Sequence, residues 1–256
     1  MVTAGQDRAA RQSWKSIVFG SETTHVKVDF GAPPPYAVSA LLRACLRDTD
    51  GNRVGAEQVW QWSVASRLQG LLAVVMATDA GDLDVSTECR HCHQPLGFEL
   101  PLQRFVHTPP DEPLSCRLDN GEWFEVRLPT GQDQRRWLEQ GGADAETMAC
   151  DLVVGASEDG DWSEDRLAAM EAALERADPF TALDLEAECP ECQASIQHPF
   201  NLEATLLQRL QGVLTELLRN VHRLATAYHW SEAEILSLPI QRRDFYLACL
   251  SREGRV

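Results

Sequence analysis

Long apolar runs are missing. The longest, "LLAVVMA" from Leu71, falls far short of the roughly 20 residues a bilayer-spanning helix needs. The first residues, "MVTAGQDRAARQSWKSIVFG", lack the apolar segment of a secretory leader, so a cytoplasmic protein without membrane insertion is expected. Positive charge is scarce as well. Lys and Arg number 23 against 39 Asp and Glu, a net charge of −16 that repels a phosphate backbone and offers no counterion release; nucleic acid is not an expected partner. The chain also has no GxGxxG, P-loop, HExxH or GxSxG. His25, His107, His198, His222 and His229 stand isolated and read as surface or hydrogen-bonded core histidines, so no enzyme is expected.

What is present is cysteine in pairs. Of eight cysteines, Cys45, Cys116, Cys150 and Cys249 stand alone and read as small buried apolar residues. The other four form two CxxC units. Shifting the chain by 100 residues lays "LDVSTECRHC" (83–92) over "LDLEAECPEC" (183–192), with Leu, Asp, Glu and both Cys coinciding. Apolar residues alternate on both sides of each unit, so each copy reads as a strand, a cysteine knuckle and a returning strand. One knuckle offers two thiolates and a structural zinc takes four in a tetrahedron, so Cys89, Cys92, Cys189 and Cys192 are the expected ligands of one structural Zn²⁺ in a zinc-ribbon-like arrangement. The 96 residues between the pairs (93–188) then form an insertion. Closing such a loop costs a few kcal/mol, against on the order of 10 kcal/mol returned by a cysteine-rich zinc site.

Other readings of the knuckles stay open. Cys89 and Cys92 could bind metal with His91, His93 or His107, or both pairs could be packed thiols. A thioredoxin-like redox pair expects its CxxC at a helix start, whereas Pro95 and Gly97 follow one pair and an alternating run follows the other.

The rest of the chain gives an α+β, mostly helical expectation. "HVKVDF" (25–30) alternates, "YAVSALLRACL" suits a short helix after Pro33–Pro35, "DTDGN" is a turn, and apolar spacing from Ala56 to Met76 suits one amphipathic helix. Asn120-Gly121 signals a type I′ hairpin. Thr130 caps a helix stopped at Gly141; acidic "ASEDGDWSED" is a loop; Ser163 caps a helix that ends before Pro179. From Asn201, Leu207, Leu210, Leu214, Leu217, Val221, Leu224 and Tyr228 form a heptad seam widened by Leu206, Val213 and Leu218, facing either this protein's own helices or a partner. Ser231 and Glu234 make a capping box, and Ser237 with Pro239 begins a last helix with Phe245, Tyr246 and Leu250 inward. The domain reading is an N-terminal mainly helical region 1–82, a zinc-ribbon-like region 83–202 (knuckles 83–102 and 183–202, hairpin-and-helix insertion 103–182) and a C-terminal helical module 203–256.

"VHRLATAYHWSEAEILSLPIQRRDFYLACL" (221–250) closely resembles the C-terminal signature of the baseplate hub proteins and hub-assembly chaperones of contractile-tailed bacteriophages and phage-tail-like contractile injection systems. The resemblance extends upstream through a leucine-rich helix, a first CxxC, an "RLPTGQD" segment (Arg127–Asp133) and a second CxxC, covering roughly Ala56 to Leu250. It departs at His229, where a glycine is expected. It implies a non-enzymatic baseplate component or hub-assembly chaperone in the bacterial or phage-infected host cytoplasm or in an assembled particle, with other baseplate or hub subunits as partners. Tyr228, Trp230, Arg242, Arg243, Phe245 and Tyr246 are the candidate partner-binding residues, the aromatics as anchors and the arginines as donors. The alternatives are a zinc-ribbon module acting on nucleic acid or the transcription apparatus, which wants a basic aromatic face, and a thiol redox enzyme.

Overall fold

Proline at a first helical turn loses no hydrogen bond and has its φ already set. In the computed structural model, which describes residues 14–155, 162–181 and 183–252, helix α1 accordingly runs Pro34–Cys45. Most of the acidic "ASEDGDWSED" loop lies outside the described residues. The single helix expected from Ala56 is two, α2 (Ala56–Gln61) and α3 (Val64–Thr78). The break has a cause in the insertion: Val64 N donates to Pro129 O (2.7 Å), Gly131 N donates to Trp62 O (3.0 Å), and the Ser63 hydroxyl restarts the helix by accepting from Ser66 N (3.2 Å). Gly70 lets α3 approach α1, since a Cβ there would lie 2.8 Å from Leu42 Cδ2.

"HVKVDF" is not a strand. Thr23–Lys27 form a 3₁₀ turn because the buried His25 ring accepts from Gly20 N and fixes the chain locally. The hairpin of β5 (Leu114–Arg117) and β6 (Trp123–Val126) is one residue wider than a type I′ loop: Leu118 N donates to Glu122 O, Gly121 N to Leu118 O, and of the two turn residues only Gly121 has positive φ (91°). Helix α4 (Gly131–Glu139) starts at the Thr130 cap, and α5 (Ala145–Leu152) follows.

The repeat is longer than the knuckles. Strand β1 (Lys15–Ser16) pairs antiparallel with β2 (Leu46–Arg47), which directly follows α1; β6 pairs antiparallel with β7 (Val153–Val154), which directly follows α5. Beside these pairs Ile17 N donates to Cys45 O (2.8 Å) and Arg127 N to Leu152 O (2.9 Å). Trp14 stacks on Trp62 and Phe124 meets Trp162 edge-on. Trp62-Ser63 leads into α3, Trp162-Ser163 into α6 (Glu164–Ala177), and Asp79 and Asp178 end these helices. The hairpins follow: β3 (Leu83–Glu88) with β4 (Pro95–Leu100), then β8 (Leu183–Glu188) with β9 (Ser195–Phe200). A β-α-β-α-β-β unit therefore occurs twice, over 14–100 and 124–200, with β5 and α4 particular to the second copy's surroundings and α2 to the first.

The 27-residue α7 (Leu202–Tyr228) leaves the second copy and packs back on the first. Leu202, Leu206 and Leu210 join α1, α3, Leu83 and Phe200 in the main core, which thus crosses the expected boundaries at 82/83 and 202/203. The second copy has its own smaller core around Cys116, Phe124, Val126 and Trp162. Farther along α7, Val221 and Leu224 pack with Ile235 and Leu236 of α8 (Glu232–Ser237) and Leu250 of α9 (Ile240–Arg252). The heptad seam is thus covered largely by this protein's own helices, and Leu218 alone of the widening residues is exposed. The capping box forms between Ser231 and Glu234. Ser237 does not cap α9; its hydroxyl donates back to Glu234 O, and α9 begins after Pro239. No helix of the described residues is long and apolar enough to cross a membrane.

Candidate metal centre

Each knuckle is built by its backbone. Cys89 N donates to Gln94 O (2.9 Å) and His93 N to Cys89 O (2.8 Å); Cys189 N donates to Ala194 O and Gln193 N to Cys189 O at the same distances. His93 and Gln193 both stand at φ 59°, the left-handed step that turns each chain into its returning strand. The registers match as well, Glu88 opposite Pro95 and Glu188 opposite Ser195. The two turns therefore present their cysteines in the same geometry.

They face each other. Sγ of Cys89 lies 3.8 Å from Sγ of Cys192, Sγ of Cys92 lies 3.6 Å from Sγ of Cys189, and all four sulfurs fall within 4.8 Å of one another. A zinc ion with Zn–S bonds of about 2.3 Å has tetrahedron edges of about 3.8 Å, so this donor set fits tetrahedral thiolate coordination. Leu96 and Ile196, at equivalent positions after the two knuckles, pack against the cysteines with Phe98 and limit water access. The backbone amides of Cys92 and His91 draw the Cys89 thiol down to about 6. At Cys92 the Gln94 amide pulls the same way, but burial and the neighbouring thiols push that group up to about 12. Four clustered thiols do not all ionise without a cation among them, and a divalent metal would supply that charge.

The candidate histidine ligands point elsewhere. His93 pairs with Glu88 (2.8 Å) at the surface, His91 is exposed, and His107 donates to the carbonyl of Ala177 (3.1 Å) at the end of α6. Of the lone cysteines, Cys45 and Cys116 are buried, Cys249 is half-buried, and Cys150 is exposed, contrary to expectation, with Trp162 Nε1 donating to its sulfur.

Two arrangements beyond the knuckles were not legible as sites. Arg67 is fully buried, with no carboxylate hydrogen-bond partner among the described residues: it donates to Val59 O (2.9 Å), Pro35 O (2.7 Å) and Ser39 Oγ (2.9 Å), and lies over the Trp60 ring. Burial lowers its pKa to about 10. Second, "RLPTGQD" is a clasp. Arg127 grips Asp133 with both guanidinium nitrogens (2.6 and 3.0 Å), Thr130 and Asp133 form a reciprocal cap, and Pro129 and Gly131 bond to the break before α3. It ties the second copy to the first.

The candidate partner-binding residues divide. Tyr228 and Trp230 stack (4.8 Å), Tyr246 meets both edge-on, and Phe245, expected inward, is 64 % exposed beside Tyr246. Arg242 is exposed and donates to the Tyr246 hydroxyl (3.3 Å). Arg243 is the correction: at 6 % exposure it faces inward and donates to Gly20 O (3.1 Å), so its guanidinium is spent on the fold. Comparison of the chain with protein-family models, with curated proteins and with solved structures finds no match.

Proposed function

We propose that this chain is a non-enzymatic adaptor, a baseplate component or hub-assembly chaperone of a contractile tail or phage-tail-like injection system, stapled by one structural zinc. The observation that carries the zinc-stapled adaptor reading is the closure of four thiols from two distant copies into one cluster within 4.8 Å, with the Cys89–Cys192 and Cys92–Cys189 sulfurs at 3.8 and 3.6 Å. Cys89, Cys92, Cys189 and Cys192 would hold the ion, which when bound supplies the positive charge that keeps all four as thiolates. A closed four-cysteine set leaves no open coordination position for a substrate, which supports a structural over a catalytic role.

The resemblance at 221–250 supports the baseplate assignment. So does the use made of its residues: the aromatics Tyr228, Trp230 and Tyr246 form one cluster, with exposed Phe245 and Arg242 at its outer side. That face, in the cytoplasm or in the assembled particle, is the proposed docking surface for another baseplate or hub subunit, anchored by aromatics with Arg242 donating to the partner.

Co-purification from cells carrying the whole tail gene cluster tests the reading. Recovery of baseplate subunits with the wild-type chain, and their loss with the Arg242→Ala, Phe245→Ala double variant that keeps its fold, is the expected result. Tight binding to generic duplex DNA at physiological salt would instead favour a nucleic-acid module.

A further inference from the structure

His25 is fully buried and both of its ring nitrogens are committed. Nδ1 accepts from Gly20 N (2.8 Å), Nε2 donates to Ala44 O (3.3 Å), and the ring stacks on Phe19. Only the neutral ring satisfies this pattern, because Nδ1 must carry a lone pair. The segment it holds joins two parts of the molecule. Gly20 O accepts from Arg243 of α9, a Cβ built on Gly20 would lie 3.4 Å from Leu217 Cδ2 of α7, and Val26 packs into the cluster of Val221, Leu224 and Ile235.

We propose that the His25 turn is an acid-released latch that holds the C-terminal helices to the first copy of the repeat. A second proton on the ring would go on Nδ1, setting N–H against the Gly20 N–H. Among the described residues no carboxylate is placed at Nδ1 to receive it. Glu22, on the same turn, lies 4.0 Å from Nε2 and is engaged by Arg47 and Arg53 at 2.6 Å each. From α1 and β2 the ring meets the Cys45 thiol (3.9 Å from Nε2) and the cationic Arg47; from α9 the nearest charge is Arg243, bonded through Gly20; the α8 residues in the adjoining cluster are the apolar Ile235 and Leu236. Protonation therefore displaces the ring from Gly20, and with Gly20 goes the acceptor of Arg243, whose Nη1 has no hydrogen-bond partner among the described residues. Burial holds the His25 pKa below the ordinary histidine range, and the latch is set at neutral pH and opens as the pH falls through that lowered value.

Hydrogen exchange read by mass spectrometry on the full chain, at about pH 7.5 and about pH 5.5 and corrected for intrinsic rates, tests the latch. The expected result is exchange at least about tenfold faster at the lower pH in 19–28 and 240–252, with 64–78 unchanged; the knuckle segments 83–100 and 183–200 report any loss of metal separately. In His25→Gln, whose amide can still donate to Ala44 O or accept from Gly20 N but does not titrate, the difference should vanish. Equal acceleration in every segment, or an undiminished response in the glutamine variant, overturns the proposal. Should that variant not fold, the wild-type profile decides alone: loosening confined to the two segments supports the latch and uniform loosening overturns it.

Discussion

The guanidinium of Arg67 fills the space over Gly131: a Cβ at 131 would come within 2.6 Å of Arg67 Cζ. The first copy's buried cation and the second copy's clasp are thus fitted to each other through a missing side chain. Gly131→Ala should cost about 1–3 kcal/mol by overpacking, seen as a lower urea midpoint without a changed slope. Gly121→Ala, with open space around it but a positive φ, separates backbone strain from this steric effect.

A second expectation concerns the thiol cluster. Cys89→Ser and Cys192→Ser should each abolish stoichiometric zinc and destabilise the whole fold similarly, and the double variant should be little worse than either single one. Elemental analysis and denaturation of the four proteins measure this. Two ions per chain, or strictly additive losses, would contradict a shared site.

His229 ends α7 with its N–H on Ala225 O (2.9 Å) and φ at 57°, the left-handed region where a side chain is penalised. It occupies the place where the resemblance leads one to expect glycine. His229→Gly should therefore stabilise the protein, by about 0.5–1 kcal/mol, and raise the melting temperature by a few degrees.

Burial raises the Glu203 pKa at the start of α7, against the pull of Arg67 and with help from Asp178. A carboxyl group raised in the folded state contributes stability below its ordinary range and loses it as the pH climbs through the folded value. Glu203→Gln should accordingly remove the gain in stability that this group contributes on moving from neutral pH toward the ordinary glutamate range, read as the difference between the urea midpoints of variant and wild type across that range. Asp133, lowered in pKa despite burial by Arg127 and Thr130, works in the opposite sense, losing its contribution as acid protonates it.

How much of this could be read from the chain depends on the range of the interaction. The knuckles were legible because their backbone turns demand the same residues at the same spacing in both copies. The larger duplication was not, since its correspondence slips from an offset of 110 at Ile17 and Arg127 to 107 at Cys45 and Leu152, 100 at Ser63 and Ser163 and 99 at Asp79 and Asp178, and survives mainly as packing, Trp62 with Trp14 and Trp162 with Phe124. The caps at Thr130 and Ser231 are local and formed as expected; the break at Ser63 is dictated by Pro129 and Gly131, more than sixty residues away, and no local pattern announces it. Arg243 failed for a similar reason. Its neighbours in sequence are exposed, and only Gly20 explains why it turns inward.

The position of the second knuckle has a consequence for synthesis. As the chain grows from its N-terminus, the first cysteine pair emerges about a hundred residues before the pair that completes it, and α7, which covers the first copy, emerges later still. Until residue 192 has been made, Cys89 and Cys92 are half of a set. A shortened chain ending inside the second copy would therefore expose two unmatched thiols and an α3 that α7 no longer covers.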